Sequence, residues 1–220
     1  MMEQALVVLR ALHFASTISL AGVFAFLCLV VAPRSSPLLD RRLSQVAWAS
    51  LLLALVSGAG WLLVLAAQLS GKPLGAVLPQ GVVAIVLTRT RFGQIWLGRF
   101  AVAVLVAICL LARGRSLAAA WRWAGLALAA AMLGSLAWAG HGGATPGRPG
   151  ELHLAADILH LLAAGAWLGS LCPLALFLAE ARRSGDPDRA TLARQAVRRF
   201  SLLAAVSVAV LFAAGLVNTW

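Results

Sequence analysis

The sequence predicts an all-α fold: a polytopic transmembrane bundle of about six spanning helices, with a short surface or re-entrant segment near 77–88. Three observations predict it. Of 220 residues, 62% are hydrophobic and only 11% are charged, and the mean hydropathy is +0.93. A soluble domain has no means of hiding that much apolar surface. The apolar residues fall in runs near the length of about 20 residues that crosses a bilayer. Between the runs lie short, arginine-rich segments.

The six runs are 5–33, 44–69, 97–113, 121–140, 152–179 and 200–220. The first is too long for a secretory signal, carries Arg10 and His13, and has no A-x-A cleavage site before the next span. The second and third are separated by "GKPLGAVLPQGVVAIVLTRTRFGQIW" (71–96), whose apolar middle is short and holds Pro79 and Gly81. Charge decides whether that middle crosses. With six spans, Arg34, Arg41, Arg42, Arg113, Arg115, Arg122, Arg182, Arg183, Arg189, Arg194, Arg198 and Arg199 share one side. Arg10, Lys72, Arg89, Arg91, Arg99 and Arg148 share the other. Twelve against six is the asymmetry that places the basic side in the cytoplasm. A seventh span would change the split to seven against eleven and leave the most basic segment outside.

The expected localisation is therefore a bacterial inner membrane, crossed several times, with both chain ends in the periplasm. The lipid bilayer is the first partner. The formal charge of +11 is accounted for by topology, so nucleic acid is not expected as a partner. Trp96, Trp121, Trp123, Trp138 and Trp220 lie near span ends, where interfacial anchors belong. The charged stretch "EARRSGDPDRATLARQAVRR" (180–199) reads as a solvated inner loop. "GAWLG" (165–169) has the small-residue spacing that lets helices approach closely. No tandem repeat or long linker interrupts the chain, which reads as one transmembrane domain over 1–220.

All four histidines fall in the outer half of this layout. His141 ends the fourth span and His153 begins the fifth. His13 and His160 each lie eight residues into their spans, about 12 Å deep at 1.5 Å per residue. Met132, nine residues below His141, lies about 13 Å deep. In "HLAADILHLLAAGAWLGS" (153–170) the offsets of 0, 4 and 7 put His153, Asp157 and His160 within about 60° on one helix face. Ionisable groups inside a bilayer are costly and mark function. His153 and His160 are about 10 Å apart along the axis, too far to hold one ion together. Two stations fit better. The outer one holds His141, His153 and Asp157; the deeper one holds His13 and His160 with Met132. Asp157 has a second available role, orienting a histidine by hydrogen bond.

Imidazole suits copper, zinc, iron and nickel, and a thioether favours Cu(I). The three cysteines, Cys28, Cys109 and Cys172, lie in the inner halves of separate spans, with no C-x-x-C. They supply a candidate exit route for Cu(I), or small hydrophobes in the core. Arg10, one turn above His13, snorkels to headgroups or attracts an anion. "TRFGQIWLGRF" (90–100) places Arg91 and Arg99 among aromatics at the outer surface, with no chemistry assignable from composition. No phosphate loop, nucleophile–base pair or H-E-x-x-H is present, so an enzyme is not expected.

The segments "LRALHFASTISLAGVFAF" (9–26), "TRFGQIWLGR" (90–99), "GHGGA" (140–144), "HLAADILHLLAAGAWLGSL" (153–171) and "RRFSLLAAVSVAVLFAAGLVNTW" (198–220), in this order, resemble the CopD family of bacterial copper-resistance membrane proteins. The fifth-span segment is the most specific. The resemblance implies an inner-membrane protein that helps bring copper, as Cu(I) or Cu(II), from periplasm to cytoplasm, often with a CopC-like periplasmic copper-binding protein. It implies His13, His141, His153 and His160 as ligands. Members commonly continue into further helices, whereas this chain stops at Trp220. Two alternatives remain at this stage. Two histidines at equal depth also suit axial ligation of haem in a membrane electron carrier. The same outer site also suits a non-transporting copper-delivery scaffold for a respiratory oxidase.

Overall fold

The computed structural model describes residues 2–31, 36–112, 118–139 and 147–219. They are helical almost throughout, with no strand among them. The elements are α1 (Met2–Ala25), α2 (Pro37–Ser70), α3 (Leu74–Val77), α4 (Val82–Arg89), α5 (Arg91–Leu111), α6 (Ala118–Gly134), α7 (Gly147–Trp167), α8 (Leu171–Ser184) and α9 (Pro187–Val217). Three irregular turns extend them: a π-helical turn over Phe26–Val30, and 3₁₀ turns over Ser135–Ala139 and Leu168–Ser170. Six helical stretches are long and apolar enough to span a bilayer. The fifth is the continuous run of α7, the Leu168–Ser170 turn and α8. This is a multi-pass membrane protein.

Local sequence sets several boundaries. Ser36 caps α2, its Oγ accepting from Leu39 N–H at 3.1 Å, and Pro37 follows at the first helical position. Asp186 and Pro187 start α9 in the same way. The charged 180–199 stretch is therefore not a loop. It is the end of α8 and the start of α9, turned at Gly185 in the left-handed conformation (φ 64°). There the Glu180 carboxylate meets Ser36 Oγ and, at 2.8 Å, Arg189. The 77–88 segment does not span. α3 and α4, of 4 and 8 residues, fold against α2 and α5 through Val77, Val82 and Val86 on Leu62, Ala66 and Ala67.

The core forms around α1, the most buried of the spanning helices, whereas α9 is the most exposed. Leu20, Val23, Phe24 and Phe26 are sealed among α2, α6, α7 and α8. Large apolar side chains such as Val56, Leu202 and Phe212 point outward, as lipid-facing surface requires. The tightest crossing uses "GAWLG" within the bundle. Gly169 in the Leu168–Ser170 turn lies against Gly22 of α1 so closely that a Cβ on Gly22 would sit 1.9 Å from the Gly169 carbonyl carbon. Gly165 gives room to Leu133 of α6. Ser170 Oγ donates to Gly22 O at 3.0 Å across the same contact.

Candidate functional site

α7 and α9 pack along one another, and α1 lies beside α7. At the end where the α7 histidines sit, these helices enclose a cavity of about 460 Å³. Its wall includes Asp157, His160 and Leu161 from α7, Arg10 and Phe14 from α1, Trp61 from α2, and Asn218 just past α9. His160 is exposed and Asp157 half-buried. Asp157 Oδ1 accepts from Asn218 Nδ2 at 2.7 Å, so its hydrogen bond ties α7 to the end of α9 rather than to a histidine. His153 lines a separate groove between the same two helices, with Leu152, Leu216 and Val217. His141 lies outside the described residues.

His13 is on the far side of the cavity wall. Its ring is 1% exposed and packs against Trp61 and Trp96, with centroids 5.8 and 5.1 Å away. Both ring nitrogens are engaged. Arg99 Nη2 lies 2.6 Å from Nε2. A guanidinium has only N–H donors, so Nε2 accepts and the ring hydrogen is on Nδ1. Nδ1–H donates to Ala54 O at 2.9 Å, with Ser57 Oγ at 3.3 Å. Arg99 Nη1 donates to Met132 O at 2.6 Å and to Ser135 Oγ. Met132 is thus linked to His13 through its backbone carbonyl and Arg99, and its side chain is buried. The carbonyl is available because α6 ends here and tightens into its 3₁₀ turn.

This placement corrects two expectations. Arg99 is not at the outer surface but 4% exposed, inside the bundle. Trp96 is not an interfacial anchor but 3% exposed, beneath the Arg99 guanidinium at 5.2 Å. Among the described residues Arg99 has no carboxylate partner, and its Nε has no hydrogen bond. Removing Arg99 from the topological count leaves twelve basic residues against five. Arg10 lies over the Trp61 ring, 5.0 Å from its centroid, and remains exposed at the cavity mouth. Trp61 is therefore shared, one side lining the cavity and the other packing on His13.

Among the described residues, no three His, Cys, Asp or Glu side chains are grouped to hold a metal ion. Cys28 is half-buried in the π-helical turn, Cys109 is buried on α5 and Cys172 is exposed on α8. The arrangement offers His160 and Asp157 at an accessible cavity, and His13 behind it with its Nε2 lone pair directed at a guanidinium.

Fold and site thus define a multi-pass helical membrane protein with an ionisable cavity and a secluded histidine. Residues 1–152 match the family described as copper resistance protein D-like, N-terminal domain, and the chain belongs to that family. It is 34% identical over 178 residues to "Copper resistance protein D" of Pseudomonas syringae pv. tomato, covering 80% of this chain and 54% of that protein. It is 30% identical over 152 residues to "Copper transport protein CutJ" of Bacillus subtilis (strain 168), covering 68% of this chain and 27% of that one. The chain therefore spans about half the length of the first relative and about a quarter of the second. No solved structure matches it.

Proposed function

We propose that the chain forms one transmembrane domain over 1–220 that takes copper at a periplasm-facing histidine site and passes it towards the cytoplasm, without catalysis. The observation that carries this reading is the cavity holding Asp157 and His160, with His13 one tryptophan behind it. Copper is the cargo. It meets His141, His153 and Asp157 near the mouth, then the deeper station of His160 and His13 with Met132, imidazoles and a thioether being suited to Cu(I). Cys28, Cys109 and Cys172 would receive it further in. The twelve-to-five distribution of basic residues supports placing the histidine end, and both chain ends, in the periplasm of an inner membrane. A CopC-like periplasmic protein is the proposed donor. Haem is disfavoured, because Trp61 and Trp96 packed on His13 leave no room for a macrocycle beside the ring.

The test is copper titration of the purified chain, with copper uptake by cells in parallel. We expect bound copper, no Soret band, and His160→Ala lowering affinity about 10-fold or more as a ligand is lost. A Soret band, or no copper bound, would overturn the reading. Copper bound without uptake would assign the same site to delivery and overturn the transport step.

A further inference from the structure

We propose that Arg99 is a resident cation that occupies the His13 Nε2 lone pair, so that a metal ion binds His13 only by displacing it. This rests on the copper reading and deepens it by giving the deep station a gate.

The first ground is the state of His13. Its Nδ1–H donates to the Ala54 carbonyl at 2.9 Å, and its ring is fixed between Trp61 and Trp96. That is how a metal-ligating histidine is prepared, one nitrogen donating to a carbonyl so that the other keeps a basic lone pair. Among the described residues the lone pair meets only Arg99 Nη2, at 2.6 Å. The guanidinium stands where a metal would stand and preserves the tautomer and orientation that a metal needs.

The second ground is exclusion. Nε2 has one lone pair. A metal ion on it, with the guanidinium still in place, would bring two cations within a few ångströms in a site with little water to screen them. One has to leave. The third ground is how loosely Arg99 is compensated. An arginine buried for architecture is ordinarily paired with a carboxylate. Arg99 has none among the described residues, its Nε is unpartnered, and it relies on Met132 O, Ser135 Oγ and the Trp96 face. An ion at His13 therefore displaces a guanidinium held by neutral acceptors, not by an ion pair.

The experiment measures Cu(I) affinity by chelator competition on the full chain in lipid nanodiscs. Arg99→Gln should bind the deep site about 10–100-fold more tightly, because a charge-assisted hydrogen bond no longer has to be broken. The gain should vanish in a His13→Ala background, an outcome that a purely structural arginine would not give. Ser135→Ala removes one anchor of Arg99 and is the gentler variant should Arg99→Gln fail to fold. It should tighten binding by up to about 10-fold, again only with His13 present. Unchanged or weaker affinity in a folded variant, or a gain that persists without His13, overturns the gate. If the wild-type chain and every variant bind no copper, the copper reading itself fails. If copper binds through His160 and ignores Arg99, only the gate fails.

Discussion

Gly22→Ala tests the crossing of α1 with the Leu168–Ser170 turn that follows α7, both helices contributing residues to the cavity. The new Cβ would lie 1.9 Å from the Gly169 carbonyl carbon and 2.3 Å from its Cα and oxygen. Carbons in contact rest about 3.5–4.0 Å apart, so the helices must separate by about 1.5–2 Å. Backbone lies on both sides, and no side-chain rotation relieves the clash. Overpacking costs about 1–3 kcal/mol where side chains can adjust, and this contact belongs at the upper end. The Ser170–Gly22 hydrogen bond, 3.0 Å long, adds about 0.6 kcal/mol when broken in a membrane interior. The expected loss is about 3 kcal/mol. For a chain of this size that lowers the melting temperature by about 6–12 °C. Thermal unfolding in detergent, followed by tryptophan fluorescence, would measure it. Gly98→Ala on α5, where a Cβ meets nothing within 4 Å, is the control and should not be destabilised. Equal melting temperatures for Gly22→Ala and Gly98→Ala would refute the packing argument.

Three further outcomes are expected. A cysteine at exposed Ser184, in a background with the native cysteines replaced, should label only from the cytoplasmic side; labelling from outside would invert the proposed orientation and the site with it. Asp157→Asn should fold and weaken copper affinity about 10–100-fold, whereas unchanged affinity would reduce Asp157 to a tie between α7 and Asn218. His13→Phe leaves the buried Arg99 short of a neutral acceptor and should destabilise the protein by about 2–3 kcal/mol, with Arg99→Met in the same chain recovering part of it. Denaturation that finds the two changes simply additive would show that the pair is not coupled.

Much of the bundle was legible because hydrophobic length and arginine distribution are both strong constraints in a bilayer. The same count that kept 77–88 out of the spanning set anticipated the short α3 and α4. The face shared by Asp157 and His160 followed from helix periodicity alone, and both line one cavity. Arg99 was misplaced because a basic residue near a span end ordinarily serves topology. The correcting signal was Thr90, whose Oγ caps α5 by accepting from Gly93 N–H at 3.0 Å. A helix starting at Arg91 puts Arg99 eight residues in, about 12 Å along the axis, a depth comparable to that expected for His13. The α8–α9 turn was misread for a related reason: charge marks the side of the membrane but does not distinguish a loop from a helix that continues into water. "SGDP" (184–187), a left-handed glycine followed by a cap and a proline, carried the information. The 3₁₀ and π turns depend on tertiary contacts that no local pattern encodes.

The central position of α1 has a consequence for how the protein is made. α1 precedes every helix that encloses it, and its polar groups enter the bilayer before their partners exist. Ser16 and Thr17 need no waiting, since their hydroxyls return to the His13 carbonyl at 3.0 and 2.8 Å within the same helix. The His13 ring has no such local outlet. Its Nδ1 partner Ala54 is synthesised 41 residues later, and the Arg99 that meets Nε2 arrives 86 residues later. A nascent chain ending in α4 thus holds an imidazole with one nitrogen unanswered in a lipid environment. Insertion of α5 supplies a compensating donor to the first helix while burying a cation that could not enter the bilayer comfortably alone. In the finished bundle each of the two polar residues thus offsets part of the burial cost of the other.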